Sequence, residues 1–401
     1  MFNEPKSQVR TSLPHGVVML GIVSLFMDMS SELIHSLLPA LFVTVLGTSM
    51  TTIGVVEGIA EATASITKVF SGALSDWLGK RKILAVVGYG LAALTKPLFP
   101  LASSVSVVFA ARFIDRIGKG IRGAPRDALI ADMTPADSRG AAYGLRQALD
   151  TVGAFLGPLA AIALMAVLSN DIRMVLWFAV LPAVVCMGFL VFGVHEHETN
   201  KPNRAARLPI HKAEIKQLPS FYWLVVLIGG LFSLSRFSEA FLTLRGMELG
   251  LPIAYTPVIM VLMSLTFSII SYPAGKLADR MDRRTLLLLG LALLIGADLL
   301  LALADNVIFV LLGVAVWGLH MGLTQGLLSA MIADAAPASL RGTAFGLFNL
   351  VGGLVLVMAS VIAGIAWDRL GSPATFLIGG GFAVLTILII LGTMPRSKVY
   401  Q

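Results

Sequence analysis

Charged residues are scarce in this sequence, and their scarcity excludes most soluble folds. Aspartate, glutamate, lysine and arginine make up 13% of the 401 residues, whereas apolar residues make up 57%. A soluble domain usually contains about 25% charged residues, because its surface faces water. The deficit extends along the whole chain, so most of the surface of this protein is expected to face lipid.

Sequence motifs of common enzyme and metal-binding classes are also missing. No Gly-rich loop ends in Lys-Ser or Lys-Thr, which excludes a Walker-type ATP motor, and no His-Glu-x-x-His motif occurs. His195 and His197 lack a third ligand at a suitable spacing, so we interpret their segment as a solvated linker. Cys186 is the only cysteine, which excludes an internal disulfide. We therefore expect no enzyme activity, no cofactor and no metal site.

Twelve runs are long and apolar enough to cross a bilayer, since a spanning helix needs roughly 20 mostly apolar residues. The runs are continuously apolar rather than alternating, which excludes a closed β-barrel. We predict an all-α membrane protein with twelve transmembrane helices. The predicted spans are 16–46, 52–75, 83–101, 104–131, 138–167, 173–193, 219–245, 253–275, 285–303, 306–333, 340–367 and 373–393.

The Lys and Arg residues between these runs predict the orientation, because cytoplasmic loops are enriched in both residue types. The net charge of +7 is spread over short loops, which indicates membrane topology rather than nucleic-acid binding. We expect both termini in the cytoplasm and the protein in a cell inner membrane, with the first apolar run retained as a helix. The basic loop residues then on the cytoplasmic side are Lys80, Arg81, Lys82, Arg139, Arg280, Arg283, Arg284, Arg341, Arg396 and Lys398.

The two halves of the chain repeat each other. The segment GALSD at 72–76 recurs as GKLAD at 275–279, and the segment 130–140 recurs at 332–342 at nearly the same offset. Two copies of six helices in the same orientation form a transporter architecture, in which the substrate site lies between the halves near mid-membrane. The predicted domains are an N-terminal bundle at 1–193, a cytoplasmic linker at 194–218 and a C-terminal bundle at 219–401.

The repeated motifs resemble the major facilitator superfamily, and the resemblance covers nearly the whole chain. It implies a secondary transporter that acts on a small solute and protons, without a cofactor, and that functions as a monomer. Asp282 stands where the family's second loop signature usually has Gly, and Trp77 stands where the first commonly has Arg. The residues that match the two signatures are Gly72, Asp76, Gly79, Lys80 and Arg81, and then Gly275, Asp279 and Arg280.

Asp76 and Asp279 each lie at the cytoplasmic end of a predicted helix, beside basic loop residues. A carboxylate there can accept hydrogen bonds from a helix N-terminus and pair with Lys or Arg. We expect the signature residues to latch the two halves in the outward-facing state. The alternative is that they only set topology and close a tight turn.

The fifth run resembles the antiporter signature of the drug–proton branch of this superfamily. Gly144, Gly153, Gly157 and Pro158 match its spacing, but Ala-Ile replaces its closing Gly-Gly. Small residues let helices approach closely, and proline can kink a helix. The resemblance implies a bias toward export, and ordinary tight packing is the alternative.

Ionisable residues inside the predicted spans are concentrated in the first half. Each costs on the order of 3 kcal/mol or more at mid-bilayer, so each needs a partner, a cavity or a function. Asp28, Glu32 and His35 share one face of the first run. Arg126 and Asp127 correspond to uncharged residues in the second half, so the repeated fold does not require charge there.

This asymmetry indicates a function for the charged residues, although contact with solvent or lipid headgroups is the alternative for those nearest the cytoplasm. Carboxylates beside a desolvated cavity can bind protons near neutral pH, and arginine binds anions. The candidates for proton coupling are Asp28, Glu32, Glu57 and Asp115. The candidates for substrate binding are Arg112, Arg116, Arg146, Asp150, Arg236 and Glu239.

Several functions stay open at this point. The partial antiporter signature favours export of a drug-like solute, whereas the arginine-rich fourth and fifth runs favour an anionic metabolite. We expect proton-coupled export of one of these. The alternatives are proton-coupled uptake of an organic anion or siderophore, and a membrane sensor that binds a solute without transporting it.

Overall fold

The computed structural model describes residues 13–135, 137–196, 212–278, 281–324, 326–337 and 340–394. Within these residues, all regular secondary structure is helical. The helices of the first half are α1 His15–Ala40, α2 Met50–Leu78, α3 Arg81–Thr95, α4 Val105–Met133, α5 Arg139–Val167, α6a Ile172–Trp177 and α6b Val180–Gly188. The π-helical turns Leu41–Val45 and Phe189–Gly193 continue α1 and α6b, and Leu98–Leu101 follows α3.

The second half has the same order of long helices. A short helix, Lys212–Ile215, precedes them, and a 3-10 turn, Ile253–Tyr255, lies in the loop before the eighth long helix, which begins at Val258. The helices are α7a Ser220–Leu234, α7b Ala240–Glu248, α8 Val258–Ala278, α9 Arg283–Leu303, α10a Val307–Thr324, α10b Leu327–Ala335, α11 Arg341–Leu370 and α12 Ser372–Thr393.

Nine helical stretches in the described residues are long and apolar enough to cross a membrane. They correspond to the first, third, fifth, sixth and eighth to twelfth predicted spans. Helices α2 and α4 are each 29 residues long, but they fall outside this apolar set because they contain many polar and charged residues. The prediction of twelve crossings therefore depends on three further spans: the seventh, whose apolar helix Ser220–Leu234 is short, and the polar helices α2 and α4, which can cross lipid only if they face the interior of the protein.

Side-chain caps and a glycine determine where several helices begin or end. The Ser49 hydroxyl accepts a hydrogen bond from the Thr52 backbone N–H at 3.2 Å and caps the start of α2. Gly79 ends α2 with φ +64°, a conformation that glycine adopts without steric cost. The Asp171 carboxylate accepts from the Met174 N–H at 3.1 Å and caps α6a.

The seventh span is broken, which corrects the prediction of a continuous helix over 219–245. Helix α7a ends at Leu234 and α7b begins at Ala240. Between them, the Ser238 N–H donates to the Ser360 hydroxyl of α11 at 3.2 Å rather than to a carbonyl of its own helix. A side chain of a neighbouring helix thus replaces a helical hydrogen bond, which is how irregular backbone is tolerated at membrane depth.

Helix pairs inside each half are equivalent. In the first half, α1 packs along α5 while α4 packs on α2 and α3; in the second, α7a packs on α11 while α10a packs on α8 and α9. The halves meet along α2 with α11 and α5 with α8. This arrangement agrees with the predicted two-fold repeat, whereas the domain boundaries stay predictions and residues 197–211 of the linker lie outside the described residues.

The halves are closed together at the end that the basic-residue pattern assigns to the outside. The Asp368 carboxylate, at the end of α11, accepts hydrogen bonds from the N–H groups of Met50 and Thr51 at 3.1 and 2.8 Å, and from the Thr51 hydroxyl at 2.6 Å. A Cβ on Gly54 would lie 2.1 Å from the Ser360 carbonyl oxygen. Glycine at this position lets the backbones of α2 and α11 touch.

Candidate functional site

A cavity of about 560 Å³ lies between the two halves, and we call it the central cavity. Its walls come from α1, α2 and α4 on one side and from α7, α10 and α11 on the other. Charged groups from both halves line it, which satisfies the expectation of a polar pathway between the bundles. Its charged and titratable lining residues are Glu32, His35, Glu57, Glu61, Arg116, Lys119, Arg236 and Glu239.

Glu57 and Arg112 form a buried ion pair at the wall of the central cavity. The Arg112 Nη2 and Nε groups donate to the two Glu57 carboxylate oxygens at 2.7 and 3.1 Å. Both residues are almost completely buried, with exposures of 2% for Arg112 and 1% for Glu57. The sequence assigned these two residues to separate roles, whereas the structure joins them in one bidentate pair.

His35 extends this pair into a chain across α1 and α2. Its Nε2 lies 3.5 Å from a Glu57 carboxylate oxygen, and its Nδ1 lies 3.4 Å from Glu32. The sequence placed Glu32 and His35 on one helix face but did not assign His35 to the site. The spacing of three residues between them was the signal that could have included it.

Arg116 and Asp115 point to different partners although they are adjacent. Arg116 lies 3.4 Å from Glu61 and lines the central cavity. Asp115 accepts a hydrogen bond from Lys96 at 2.9 Å, and the Lys96 ammonium also donates to the Ser31 hydroxyl at 2.9 Å. Lys96 is 1% exposed, and sequence reasoning missed it because a single lysine at the end of an apolar run identifies no partner.

A second charged cluster lies within the first half, between α1, α4 and α5. The Arg146–Asp150 pair that the helical spacing permits is formed at 2.6 Å. Arg126 lies 3.8 Å from Asp150, and the Arg122 guanidinium lies 3.7 Å from Asp28. Asp28 and Asp150 therefore take part in a network of arginines rather than standing alone.

Two cations of the central cavity have no such partner. Lys119 lies on α4, and Arg236 lies in residues 235–239 between α7a and α7b, which we call the α7 break. The two residues face the cavity from opposite halves. Within the described residues, neither has a carboxylate within 4 Å, although the Arg236 guanidinium lies 5.8 Å from the centre of the Phe232 ring. Glu239, three residues after Arg236 in the same break, also lines the cavity. Positive charge is thus available to a solute from both sides.

The first loop signature is held within its own half. Arg81 lies 3.4 Å from Asp76 and 2.5 Å from Asp132, and Glu196 accepts hydrogen bonds from the backbone N–H groups of Arg81 and Lys82 at 2.7 and 3.2 Å. Glu196 therefore caps the start of α3, while Asp76 lies beside Arg81. Lys80 immediately precedes α3, while Gly72 and Gly79 lie on and directly after α2.

The second loop signature lies only partly within the described residues. Asp279 and Arg280 fall outside them, and Gly275 lies near the end of α8. Arg283 pairs with Asp334 at the position that corresponds to Arg81 and Asp132 in the first half. In the described residues, every ion pair at this end joins groups of the same half, so the outward-facing latch stays a prediction.

The glycines of the fifth span divide into two kinds. A Cβ on Gly153 would lie 2.3 Å from the Leu25 carbonyl oxygen, and one on Gly157 would lie 2.6 Å from the Met29 carbonyl oxygen. Both positions let α5 approach α1, with Pro158 inside the same helix. Gly144 has no atom within 4 Å of such a Cβ, so close packing does not explain it.

The profile of the Major Facilitator Superfamily matches residues 20–355 and 247–401, so this chain belongs to that superfamily of transporters. The resemblance inferred from the loop signatures is thereby confirmed, and so is the all-helical membrane fold. Members of the superfamily are secondary transporters and generally not enzymes.

Several relatives match along most of the chain. An uncharacterized MFS-type transporter of Methanocaldococcus jannaschii is 33% identical over 94% of this chain and 95% of its own. The class E tetracycline resistance protein of Escherichia coli is 25% identical over 96% of each chain. The gentisate transporter of Corynebacterium glutamicum is 27% identical over 88% of this chain and 81% of its own.

A crystal structure of the nucleoside transporter NupG supports the fold. It superposes with a TM-score of 0.74 at 13% identity, covering 95% of this chain and 98% of its own. At this identity the likeness concerns the fold alone.

Proposed function

We propose that this protein exports a small organic anion in exchange for protons, by alternating access of the central cavity to the two sides of the membrane. The observation that carries the proposal is that Lys119 and Arg236 face the same cavity from opposite halves, and that neither has a carboxylate within 4 Å among the described residues. An anion between them would replace the missing carboxylate partners. It would also link the two halves electrostatically, so that binding influences their rocking motion.

Of the four carboxylates that line the central cavity, Glu239 alone has no basic group within 4 Å among the described residues. Glu57 is paired with Arg112, and Glu61 lies near Arg116, so the acidic side chains of the first half already have basic neighbours. The rings of Phe232, Phe237 and Phe348 line the same space and would suit an apolar or aromatic part of the solute. An aromatic or partly apolar carboxylate matches both features.

The relatives support this choice of substrate class. One is named a gentisate transporter, and gentisate is an organic anion. Another is named for tetracycline resistance, which favours export of a bulky metabolite or drug-like compound. The fifth-span glycines favour the same direction by their resemblance to the antiporter signature. Proton-coupled uptake of an organic anion is the second candidate, because the paired charges suit either direction.

Proton coupling is proposed for the chain Glu32–His35–Glu57, because Glu32 and Glu57 face the central cavity and His35 links them. Protonation of Glu57 would weaken its attraction for Arg112 and leave that guanidinium more available to an anion. Proton and anion binding would then favour each other at this arginine, which suits the second candidate, uptake together with a proton. Exchange is supported instead by the resemblance of the fifth span to the antiporter signature. Asp28 and Asp115 remain further candidates, each with a basic neighbour of its own.

A thermal-shift screen of the purified protein tests the substrate class. Gentisate and related aromatic carboxylates are expected to raise the melting temperature, since a ligand at 100 times its dissociation constant stabilises by about 2.7 kcal/mol. Tetraphenylphosphonium, a lipophilic cation, is expected to have no effect. The stabilisation should disappear in Lys119→Ala and Arg236→Ala.

Arg139→Ala is the matched control, because Arg139 is an exposed arginine at the start of α5. It should keep the full ligand-dependent shift. Stabilisation by the lipophilic cation alone, or full stabilisation by anions in both cavity variants, would show that the proposal is wrong.

A further inference from the structure

Asp298, in the middle of α9, is a buried carboxylate without a hydrogen-bond partner. It is 1% exposed, and neither of its carboxylate oxygens has a partner among the described residues. This sets it apart from Glu57, Asp115 and Asp150 in the first half, each of which has a basic partner within 3 Å. The function proposed above makes no use of Asp298.

The surroundings of Asp298 are the α7 break and a glycine-rich part of α12. A Cβ on Gly379 would lie 3.2 Å from Asp298 Oδ2, 3.2 Å from the Ser235 carbonyl oxygen and 2.9 Å from Phe237 Cε1. The Phe237 ring makes a tilted contact with Trp317 at 5.3 Å and an edge-to-face contact with Phe376 at 5.5 Å between ring centres. An apolar, aromatic layer therefore covers this carboxylate.

Two other titratable groups near α9 make contacts elsewhere, although the buried Nε2 of His320 has no partner among the described residues. On α10a, His320 Nδ1 lies 2.7 Å from the Gly290 carbonyl oxygen, and on α10b Asp334 pairs with Arg283. Helix α12 contains no titratable residue between 372 and 393.

Helix α7 also offers no partner. Arg245 of α7b donates to the carbonyl oxygens of Leu301 and Ala304 and to the Glu248 carboxylate. In the α7 break, Arg236 and Glu239 face the central cavity. No cation is thus left to balance a negative charge on Asp298 among the described residues.

Transfer of an ionised carboxylate into such a site costs several kcal/mol even after relaxation, whereas a neutral carboxyl costs much less. We infer that Asp298 is a proton-binding site of the C-terminal half, which holds its proton in this conformation and exchanges it when the α7 break moves. Phe237 lines the central cavity and also lies beside Asp298, so displacement of its ring would open a path between them.

The role of this proton in transport rests on the proposed proton coupling, whereas its presence on Asp298 does not. In the conformation described here, the outer end of the protein is closed and Asp298 is sealed from the cavity. A proton taken up in the other conformation would be retained during the transition. Asp298 would then act as the carrier in the second half, while the Glu32–His35–Glu57 chain responds to the substrate in the first.

Infrared difference spectroscopy of the purified protein across a pH titration tests the inference. The wild-type protein is expected to show the C=O stretching band of a protonated carboxylic acid at neutral pH. Asp298→Asn, which keeps the size and neutrality of the side chain, is expected to lose that band. Asp305→Asn is the matched control, because Asp305 is exposed in the loop after α9, and it should keep the band.

A second variant covers the case in which Asp298→Asn does not fold. Phe237→Ala removes the cover, so hydrogen–deuterium exchange of the same band should be faster than in the wild type. An unchanged band in Asp298→Asn, or unchanged exchange in Phe237→Ala, would overturn the inference. Stabilisation of the wild type by sodium ions that Asp298→Asn abolishes would also overturn it, in favour of a sodium site.

Transport measurements separate this inference from the proposed function. Asp298→Asn should still exchange labelled for unlabelled anion across liposomes without a pH gradient, but should lose accumulation driven by the gradient. If the wild type itself ignores the gradient, the proposed coupling fails, and the infrared band still decides whether Asp298 binds a proton.

Discussion

The contact between Asp368 and the start of α2 is predicted to hold the outer end of the protein closed. Its carboxylate accepts three hydrogen bonds from Met50 and Thr51 across the interface between the halves. A hydrogen bond to a charged group contributes about 1.5–3 kcal/mol when it is shielded from water. Because Asp368 is exposed, we assign about 2 kcal/mol to the whole group of bonds.

Asp368→Asn removes the charge and most of this energy while it preserves the shape of the side chain. A loss of about 2 kcal/mol shifts the equilibrium toward the outward-open state by about 30-fold, since 1.4 kcal/mol corresponds to a factor of ten. The native chain suits a labelling assay, because its only cysteine, Cys186, is fully buried. A reporter introduced as Ser233→Cys lies on the wall of the central cavity.

The assay measures the rate at which a membrane-impermeant maleimide, added from outside, labels the Ser233→Cys reporter. The rate should rise steeply in the Asp368→Asn background, because the cavity then opens outward more often. Asp305→Asn, an exposed acidic residue predicted to lie at the same end, is the control and should leave the rate unchanged. If the reporter is labelled at the same rate with and without Asp368→Asn, the assignment of Asp368 as an outer latch is refuted.

Further predictions concern the buried charges and the tight helix contacts. Glu57→Gln should lower the free energy of unfolding by about 3 kcal/mol, since it breaks a buried bidentate pair and leaves Arg112 with only the more distant Glu61 carboxylate at 3.6 Å, and chemical unfolding in detergent measures it. Lys96→Met should destabilise by a similar amount, because its carboxylate partner stays buried and unpaired; a smaller change would indicate that water enters there. Gly153→Ala should destabilise by about 1–3 kcal/mol through overpacking against α1, whereas Gly144→Ala should be neutral, and equal effects would contradict the packing assignment.

The fold was largely predictable because lipid imposes one requirement on every spanning segment. The lengths of the apolar runs predicted the nine apolar helical stretches that the structure contains in its described residues. The loop signatures identified the superfamily. The break at 235–239 was not predictable, because Ser-Arg-Phe-Ser-Glu contains neither proline nor glycine. Its cause lies in Ser360 of another helix, which no local pattern reveals.

The site was predictable only as a set of residue types. The uneven distribution of charges indicated α1, α2 and α4, but their pairing depends on which helices are neighbours. Glu57 thus belongs with Arg112, 55 residues away, and Asp115 with Lys96, which had drawn no attention. The structure also shows what no sequence pattern indicates, namely that Lys119 and Arg236 line one cavity from opposite halves, with no carboxylate within 4 Å of either in the part of the chain that the structure describes.

The most direct test of the central claim is the flux of the anion selected by the thermal-shift screen, measured in proteoliposomes with an imposed pH gradient. Proton antiport predicts that the wild-type protein accumulates the anion in the more acidic compartment, and that Lys119→Ala and Arg236→Ala abolish this accumulation. Accumulation in the alkaline compartment would show symport instead. Flux that ignores the gradient and persists in both variants would contradict a proton-coupled anion pathway through the central cavity.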